Sequence, residues 1–203
     1  MHNRKIGVLV SGRGSNFQAV LDKIKADKLP VEIAVVISDK EDAYALTRAA
    51  EAGIANFPVV PKACGTKAAF EAKVDEILRE HDVELIVLAG FMRILSGDFV
   101  QKWPHQIINI HPALLPSFTG LDAQGQALNY GVKVAGCTVH FVDAGMDTGP
   151  IIMQKVVPVL DDDTHDTLAA RIVVQEHLAL PEVVKLWSEG KLHVEGRKVF
   201  VGQ

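Results

Sequence analysis

Several features that would assign the chain to a common class of protein are missing from its sequence. Only two of the 203 residues are cysteines, Cys64 and Cys137, and the histidines lack the spacing of zinc ligands. Lys and Arg number 21 against 25 Asp and Glu, so no positive excess favours nucleic acid. No apolar run is long enough for a transmembrane helix or a signal-peptide core. These absences predict a cytoplasmic protein with reduced thiols and without a metal, a nucleic-acid partner or a membrane anchor.

The first half of the chain alternates between two kinds of segment. Short β-branched runs predict strands buried on both faces: KIGVLVS, VEIAVVIS, VELIVLAGF and QIINIH. Amphipathic segments between them predict helices: SNFQAVLDKIKAD behind a Ser/Asn cap, EDAYALTRAAEAG and KAAFEAKVDEILREH. Such β-α alternation is typical of a parallel sheet with helices on both faces.

The pattern changes after Pro116. The segments VAGCTVHFVDAG and GPIIMQKVVPV are joined by a turn too short for a crossover helix, which predicts an antiparallel pair. A helix with an acidic first turn should follow, interrupted near Pro181, and the tail KLHVEGRKVFV should form a small hairpin. The predicted fold is α/β, a Rossmann-like three-layer open sheet with a parallel N-terminal half and antiparallel strands added in the C-terminal half.

Two polar side chains mark the end of the strand QIINIH. Alternation along a strand places Asn109 and His111 on one face, and Pro112 then fixes the direction of the chain. The carboxyl ends of strands in an open parallel sheet are where ligands bind, so the pair is a candidate catalytic site. Alternatively, the two side chains only satisfy backbone groups of the following loop.

The segment SGRGSN, residues 11–16, lies between the first predicted strand and the first helix. Glycines there let the backbone approach a phosphate, whose charge the helix N-terminus favours, with Gly14, Ser15 and Asn16 as the expected contacts. Phe17 occupies the third glycine position of the dinucleotide fingerprint, so a monophosphate fits better than NAD. A plain β-to-α turn remains the alternative.

Further candidate residues lie in the second half. Asp143 and Asp147 fall in the turn DAGMDTGP, where carboxylates often only cap the turn, although one that reaches a strand-end histidine can raise its basicity. Glu176 lies near the apolar face of its helix and could bind an amine, unless it is simply solvated. For His140, a core position and a site-lining position are both open.

With these segments assembled, the chain resembles the phosphoribosylglycinamide formyltransferase family over nearly its whole length. The resemblance rests on SGRGSN, LAGFMRIL, NIHPALLP, GCTVHFVDAGMDTGPII and QEH, in that order and with family-like spacing. It implies transfer of a formyl group from 10-formyltetrahydrofolate, a co-substrate, to glycinamide ribonucleotide in purine biosynthesis. It also implies one domain, 1–203, with a phosphate-binding half ending at about residue 105 and a catalytic and folate-binding half after it.

The same resemblance implies roles for residues matched by position. Asn109, His111 and Asp147 would carry the chemistry, and Gly14, Ser15 and Asn16 would hold the ribose phosphate. The glycinamide side would be lined by Val173, Val174, Gln175 and Glu176. Folate contacts would come from Lys67, Met92, Arg93, Ile94, Leu95, Asn109, Asp143, Ala144, Gly145, Met146 and Asp147. The assembly would be a monomer or a homodimer.

The chain departs from the family pattern in three places. Ala113 stands where the family often has Ser, and Asp122 and Gln124 stand in a segment that often carries histidines. Lys67 replaces the Arg that some relatives use for folate, and it can pair with a carboxylate only as a point charge.

Two rival functions are open. A formyltetrahydrofolate hydrolase or a methionyl-tRNA formyltransferase would normally carry an extra domain, for which we expect no room in 203 residues. A non-catalytic nucleotide-binding module would bind its ligand without depending on His111.

Overall fold

The computed structural model describes residues 3–202. They divide into two compact units, one ending at Ile108 and the other beginning at Asn109, so that the boundary falls inside a strand, Ile107–His111. The organisation of both units as a single domain stays a prediction.

The first unit contains a parallel sheet with flanking helices. Its strands are β1 (Arg4–Val10), β2 (Val31–Ser38), β3 (Ala55–Pro58) and β4 (Leu85–Leu88). Its helices are α1 (Ser15–Asp27), α2 (Tyr44–Glu51), α3 (Pro61–Cys64), α4 (Lys67–Glu80) and α5 (Gly97–Gln101). The strand order is β3-β2-β1-β4, and each neighbouring pair is parallel.

The central strands of this unit are buried on both faces, as their continuous apolar sequences predict. Ile6, Val8 and Leu9 of β1 have no exposed surface. A Cβ at Gly7 would lie 2.6 Å from the Leu78 Cδ2 atom, so glycine at this position lets α4 pack closely against β1. The burial that drives this unit together therefore lies between its sheet and its helices.

The second unit combines antiparallel strands with one long helix. Its elements are β5 (Ile107–His111), α6 (Ala123–Tyr130), β6 (Val134–Phe141), β7 (Ile151–Pro158), α7 (His165–Ser188), β8 (Leu192–Glu195) and β9 (Lys198–Val201). The order is β5-β6-β7-β9-β8, with β6 antiparallel to β7 and β8 antiparallel to β9. The predicted antiparallel pair, the C-terminal hairpin and the α/β class are confirmed.

Two local predictions were wrong. Helix α7 continues through Pro181 to Ser188, because the buried stripe continues beyond the proline in Val183, Val184 and Trp187, and this burial outweighs the lost hydrogen bond. Helix α1 has no Ser or Asn cap, since its N-cap is Gly14 in the left-handed conformation, without a side-chain hydrogen bond.

Among residues 3–202, no helix is both long and apolar enough to cross a membrane.

Candidate active site

The tip of β5 and the turn after β6 bring four polar side chains together in the second unit. The Nδ1 atom of His111 lies 3.5 Å from the Asp147 Oδ2 atom, and the Nε2 atom of His140 lies 3.8 Å from Oδ1 of the same carboxylate. The Asn109 Nδ2 atom is 3.2 Å from His140 Nε2. The three residues predicted to be catalytic therefore converge, although their roles stay predictions.

The hydrogen bonds of His111 define its protonation pattern. Its Nε2 atom lies 2.8 Å from the Phe118 carbonyl oxygen, and because a carbonyl only accepts, Nε2 carries the hydrogen. In the neutral ring, Nδ1 then presents a lone pair towards Asp147, whereas an imidazolium would donate to that carboxylate. The bond to Phe118 also shows that His111 does satisfy a loop backbone group, as the alternative interpretation required.

Asp147 is held by the backbone of its surroundings. It has a left-handed φ of 54°, which is uncommon outside glycine, and its Oδ2 atom accepts a hydrogen bond of 2.9 Å from the Gly120 N–H. Gly149 permits the turn, because a Cβ there would lie 1.8 Å from the Phe141 carbonyl oxygen. The carboxylate is thereby fixed beside the imidazole.

Asp143, in the same turn, forms hydrogen bonds that stabilise the turn itself. The Asp143 Oδ1 atom accepts from the Gly145 N–H at 3.0 Å and from the Thr148 hydroxyl at 2.6 Å. Asp143 thus caps the turn, which is the alternative considered for it. Ala144, Gly145 and Met146 are exposed, so a ligand can reach them from solvent.

His140 orients Asn109. Its side chain is buried, and this burial lowers its pKa, against opposing effects from the Phe141 carbonyl and Asp147. Its Nδ1 atom lies 2.8 Å from the Phe141 carbonyl oxygen and so carries the hydrogen. The neutral ring therefore accepts the Asn109 amide hydrogen at Nε2, which leaves the second amide hydrogen of Asn109 for another acceptor. His140 is a core residue that contacts the predicted catalytic group.

Glu176 does not lie on a solvated face of α7. Its exposed fraction is 6%, so the solvated alternative was wrong. Burial, followed by the charge of Glu176, raises the pKa of the Cys137 thiol to about 12. Of its neighbours, Val173 and Gln175 are half-buried, and Val174 is exposed.

The predicted phosphate segment lies in the first unit, at the start of α1. Gly14 has φ 74°, and α2 holds the loop because Ala45 N–H donates to the Gly12 carbonyl at 3.1 Å and Arg48 Nε donates to the Arg13 carbonyl at 2.9 Å. Ser15 is half-buried and Asn16 is buried. The first turn contains no acidic residue, which suits an anion at this helix end.

The predicted folate segment of the first unit follows β4. Met92 and Ile94 are 64% and 58% exposed, whereas Leu95 is buried. Arg93 Nε lies 2.8 Å from the Asp39 Oδ2 atom. Lys67 is exposed, with its Nζ atom 3.9 Å from the Glu71 Oε1 atom.

The sequence did not indicate three features of these sites. They are Asp39, Glu71 and the hydrogen bond between His140 and Asn109. Asp39 could have been found, because it directly follows β2 and so lies at the carboxyl end of a parallel strand. No pattern in the sequence indicates the other contacts. Among the described residues, no group of three or more His, Cys, Asp or Glu could hold a metal ion.

Comparison with known proteins places these features in one family. The sequence profile of the family described as "Formyl transferase" matches residues 4–184. The chain is 47% identical over 182 residues to a phosphoribosylglycinamide formyltransferase of Bacillus subtilis (strain 168), covering 90% of this chain and 93% of that protein. The crystal structure of glycinamide ribonucleotide transformylase 1 from Symbiobacterium toebii has a TM-score of 0.96 at 50% identity, covering 100% of this chain and 95% of that one.

A third relative is much longer. The trifunctional purine biosynthetic protein adenosine-3 of Chironomus tentans is 43% identical over 196 residues, which is 96% of this chain but only 14% of that protein. The chain therefore corresponds to a small part of the trifunctional protein.

Proposed function

Because the chain belongs to the formyl transferase family, we propose that it transfers the formyl group of 10-formyltetrahydrofolate to the amine of N1-(5-phospho-D-ribosyl)glycinamide. The products are the N2-formyl ribonucleotide and tetrahydrofolate, in de novo purine biosynthesis. The observation that carries the proposal is the convergence of Asn109, His111 and Asp147 within the second unit.

The reaction requires stabilisation of negative charge. The neutral amine of the ribonucleotide attacks the formyl carbon, a C–N bond forms, and the formyl oxygen becomes an oxyanion. The second amide hydrogen of Asn109 can donate to that oxygen, and a protonated His111 supplies positive charge beside it. Both effects are strongest in a buried site, and His111 is 5% exposed.

The reaction also moves a proton from the attacking amine to N10 of the folate as the C–N10 bond breaks. His111 Nε2 is held by Phe118, and Nδ1 faces Asp147. A water bound to Asp147 can accept the amine proton and deliver it to N10 without disturbing either contact. No covalent adduct of the histidine is needed.

The binding roles are proposed for each unit separately. In the first unit, the ribose phosphate binds at Gly14–Asn16, and the apolar side chains of Met92 and Ile94 contact the folate, with Lys67 near its carboxylates. In the second unit, Glu176 and residues 173–175 line the glycinamide side, and residues 143–147 border the folate. The family uses formyl-tetrahydrofolate as co-substrate; we propose the 10-formyl form and no metal, so a chelator should leave the rate unchanged.

Three further proposals come with this function. The protein acts in the cytoplasm, where its free cysteines Cys64 and Cys137 stay reduced. It is a monomer or a homodimer, and its two units belong to one domain.

A spectrophotometric assay for the folate product tests the proposed function. The purified chain is mixed with 10-formyltetrahydrofolate or its dideaza analogue, with and without glycinamide ribonucleotide. Product that forms only with both substrates supports the transferase. Product without the amine acceptor would instead indicate a hydrolase, and no product together with tight nucleotide binding would indicate a non-catalytic module.

A further inference from the structure

The segment 91–96 of the first unit has an exposed surface without regular secondary structure. It connects β4 to α5, and the Met92 and Ile94 side chains are 64% and 58% exposed. Irregular exposed segments usually sample several conformations, and ordering one upon binding reduces affinity. A segment that binds a ligand well therefore needs contacts that fix it beforehand.

An ion pair fixes the middle of the segment. Arg93 Nε lies 2.8 Å from the Asp39 Oδ2 atom, with the Asp39 side chain 4% exposed and that of Arg93 46% exposed. The Arg93 guanidinium carbon also lies 5.7 Å from the centroid of the Phe70 ring, within the range of a cation–π contact. Two elements, the end of β2 and the helix α4, thus hold this one side chain.

The two ends of the segment are also anchored. Met92 N–H donates to the Ser11 hydroxyl oxygen at 2.9 Å. At the other end, the Ser96 N–H donates to Glu71 at 2.7 Å, and the Ser96 hydroxyl donates to the same carboxylate. Ser96 accepts in turn from the Phe99 N–H at 3.2 Å and so caps α5.

Asp39 is the anchor whose presence is hardest to explain by stability. Its Oδ1 atom is buried and has no hydrogen-bond partner among residues 3–202, and an unsatisfied buried polar atom destabilises a fold. Its partner Arg93 is nearly half exposed, so the ion pair offsets only part of the free-energy cost of burying the Asp39 carboxylate. A role beyond folding stability accounts for a carboxylate in this position.

We propose that Asp39 is a positioning residue for the folate co-substrate. Through Arg93 it fixes the 91–96 segment in the conformation that presents Met92 and Ile94, so that this conformation need not be ordered when the folate binds. The inference rests on the proposed function, since it names the co-substrate of that reaction.

The test compares two carboxylate-to-amide variants of the first unit. Asp39→Asn keeps the shape of the side chain and removes the charge that holds Arg93. Asp75→Asn is the matched control, because Asp75 Oδ2 lies 3.1 Å from Arg79 Nε with a side chain 15% exposed, and its Oδ1 accepts from the Trp103 indole at 2.8 Å. Among the described residues, the Asp75 carboxylate pairs with Arg79, Lys102 and Trp103, which all lie outside 91–96, so its loss should lower stability without disturbing that segment.

We expect Asp39→Asn to raise the KM for the folate about five- to ten-fold, with the KM for glycinamide ribonucleotide within about two-fold of wild type. Amide hydrogen exchange in residues 91–96 should accelerate in this variant. Asp75→Asn should leave both KM values and that exchange unchanged. A general loss of stability would not produce this split between the substrates.

The inference is overturned by an unchanged folate KM in Asp39→Asn, by equal increases for both substrates, or by the same folate effect in Asp75→Asn. If the wild-type chain transfers no formyl group, the proposed function fails first, and the folate affinity measured by titration replaces the KM. Unchanged exchange at 91–96 would then overturn the positioning role independently.

Discussion

The two units build their candidate ligand contacts by different means. In the first unit these contacts come from backbone geometry and from segments held in place, as at Gly14 and at 91–96. In the second unit, ionisable side chains converge, with His111 and His140 each within 3.8 Å of Asp147. From this difference we propose that the first unit contributes mainly binding and the second mainly chemistry. Substitutions in the first should therefore alter KM, and those in the second should alter kcat.

The largest effect is expected from His111→Ala, which removes the positive charge beside the oxyanion. We predict that kcat falls about 10³-fold with little change in the KM for glycinamide ribonucleotide. The control is His193→Ala, because that side chain is 70% exposed in the hairpin strand β8, and it should match wild type in steady-state kinetics. A raised KM with an intact kcat would assign His111 to binding instead.

Asp147→Asn should have the next largest effect. The amide can still accept from the Gly120 N–H but no longer provides a charge beside His111, so the imidazolium is less stable. We expect kcat to fall about 10²-fold, measured with both substrates saturating. A variant as fast as wild type would show that the carboxylate charge is not used.

Gly14→Ala should change binding in the first unit. A Cβ there would lie 2.7 Å from the Ala45 Cβ atom, at φ +74°, whereas Gly53 has φ +71° with nothing within 4 Å of an added Cβ. Both alanine variants should lose about 1 kcal/mol or more of stability. Only Gly14→Ala should also raise the KM for glycinamide ribonucleotide, about ten-fold. Equal KM values in the two variants would place the phosphate elsewhere.

The smallest effect is a pH dependence of stability from His140. Burial lowers its pKa in the folded state, so below the ordinary histidine value, about 6.5, the unfolded chain binds more protons. Stability should therefore fall as the pH drops from about 6.5 towards the lowered folded pKa, by at most about 1.4 kcal/mol per pH unit. His177, whose pKa is also lowered by burial, acts in the same direction.

The variant His140→Gln separates the two histidines. Denaturant unfolding at several pH values below about 6.5 should show a shallower slope of stability against pH in this variant than in wild type. Identical slopes would mean that His140 is not kept neutral by the fold.

The fold could be predicted where hydrophobic periodicity is strong, as in β1, β2 and α1. The edge strand β3 was not predicted, because its residues are mostly exposed and it ends in Pro58. Helix α6 was not predicted either, since Gly125 and Gly131 give its sequence the composition of a turn. The continuation of α7 through Pro181 depends on tertiary burial, which no local rule contains.

The site was predicted in part. Strand alternation indicates that Asn109 and His111 share a face, but the approach of Asp147 depends on its own left-handed conformation and on the hydrogen bond that it accepts from the Gly120 N–H. The bond between Asn109 and His140 joins residues 31 positions apart, and the pair of Asp39 with Arg93 spans 54. Such contacts depend on the folded arrangement and leave no local pattern.

The most direct test of the division between the units is the steady-state kinetics of Ser15→Ala and His111→Ala, measured together with both substrates varied. We predict that Ser15→Ala raises the KM for glycinamide ribonucleotide about ten-fold at nearly normal kcat. His111→Ala should instead lower kcat about 10³-fold and leave that KM nearly unchanged. A loss of kcat in Ser15→Ala as large as in His111→Ala, or a raised KM in His111→Ala alone, would contradict the account.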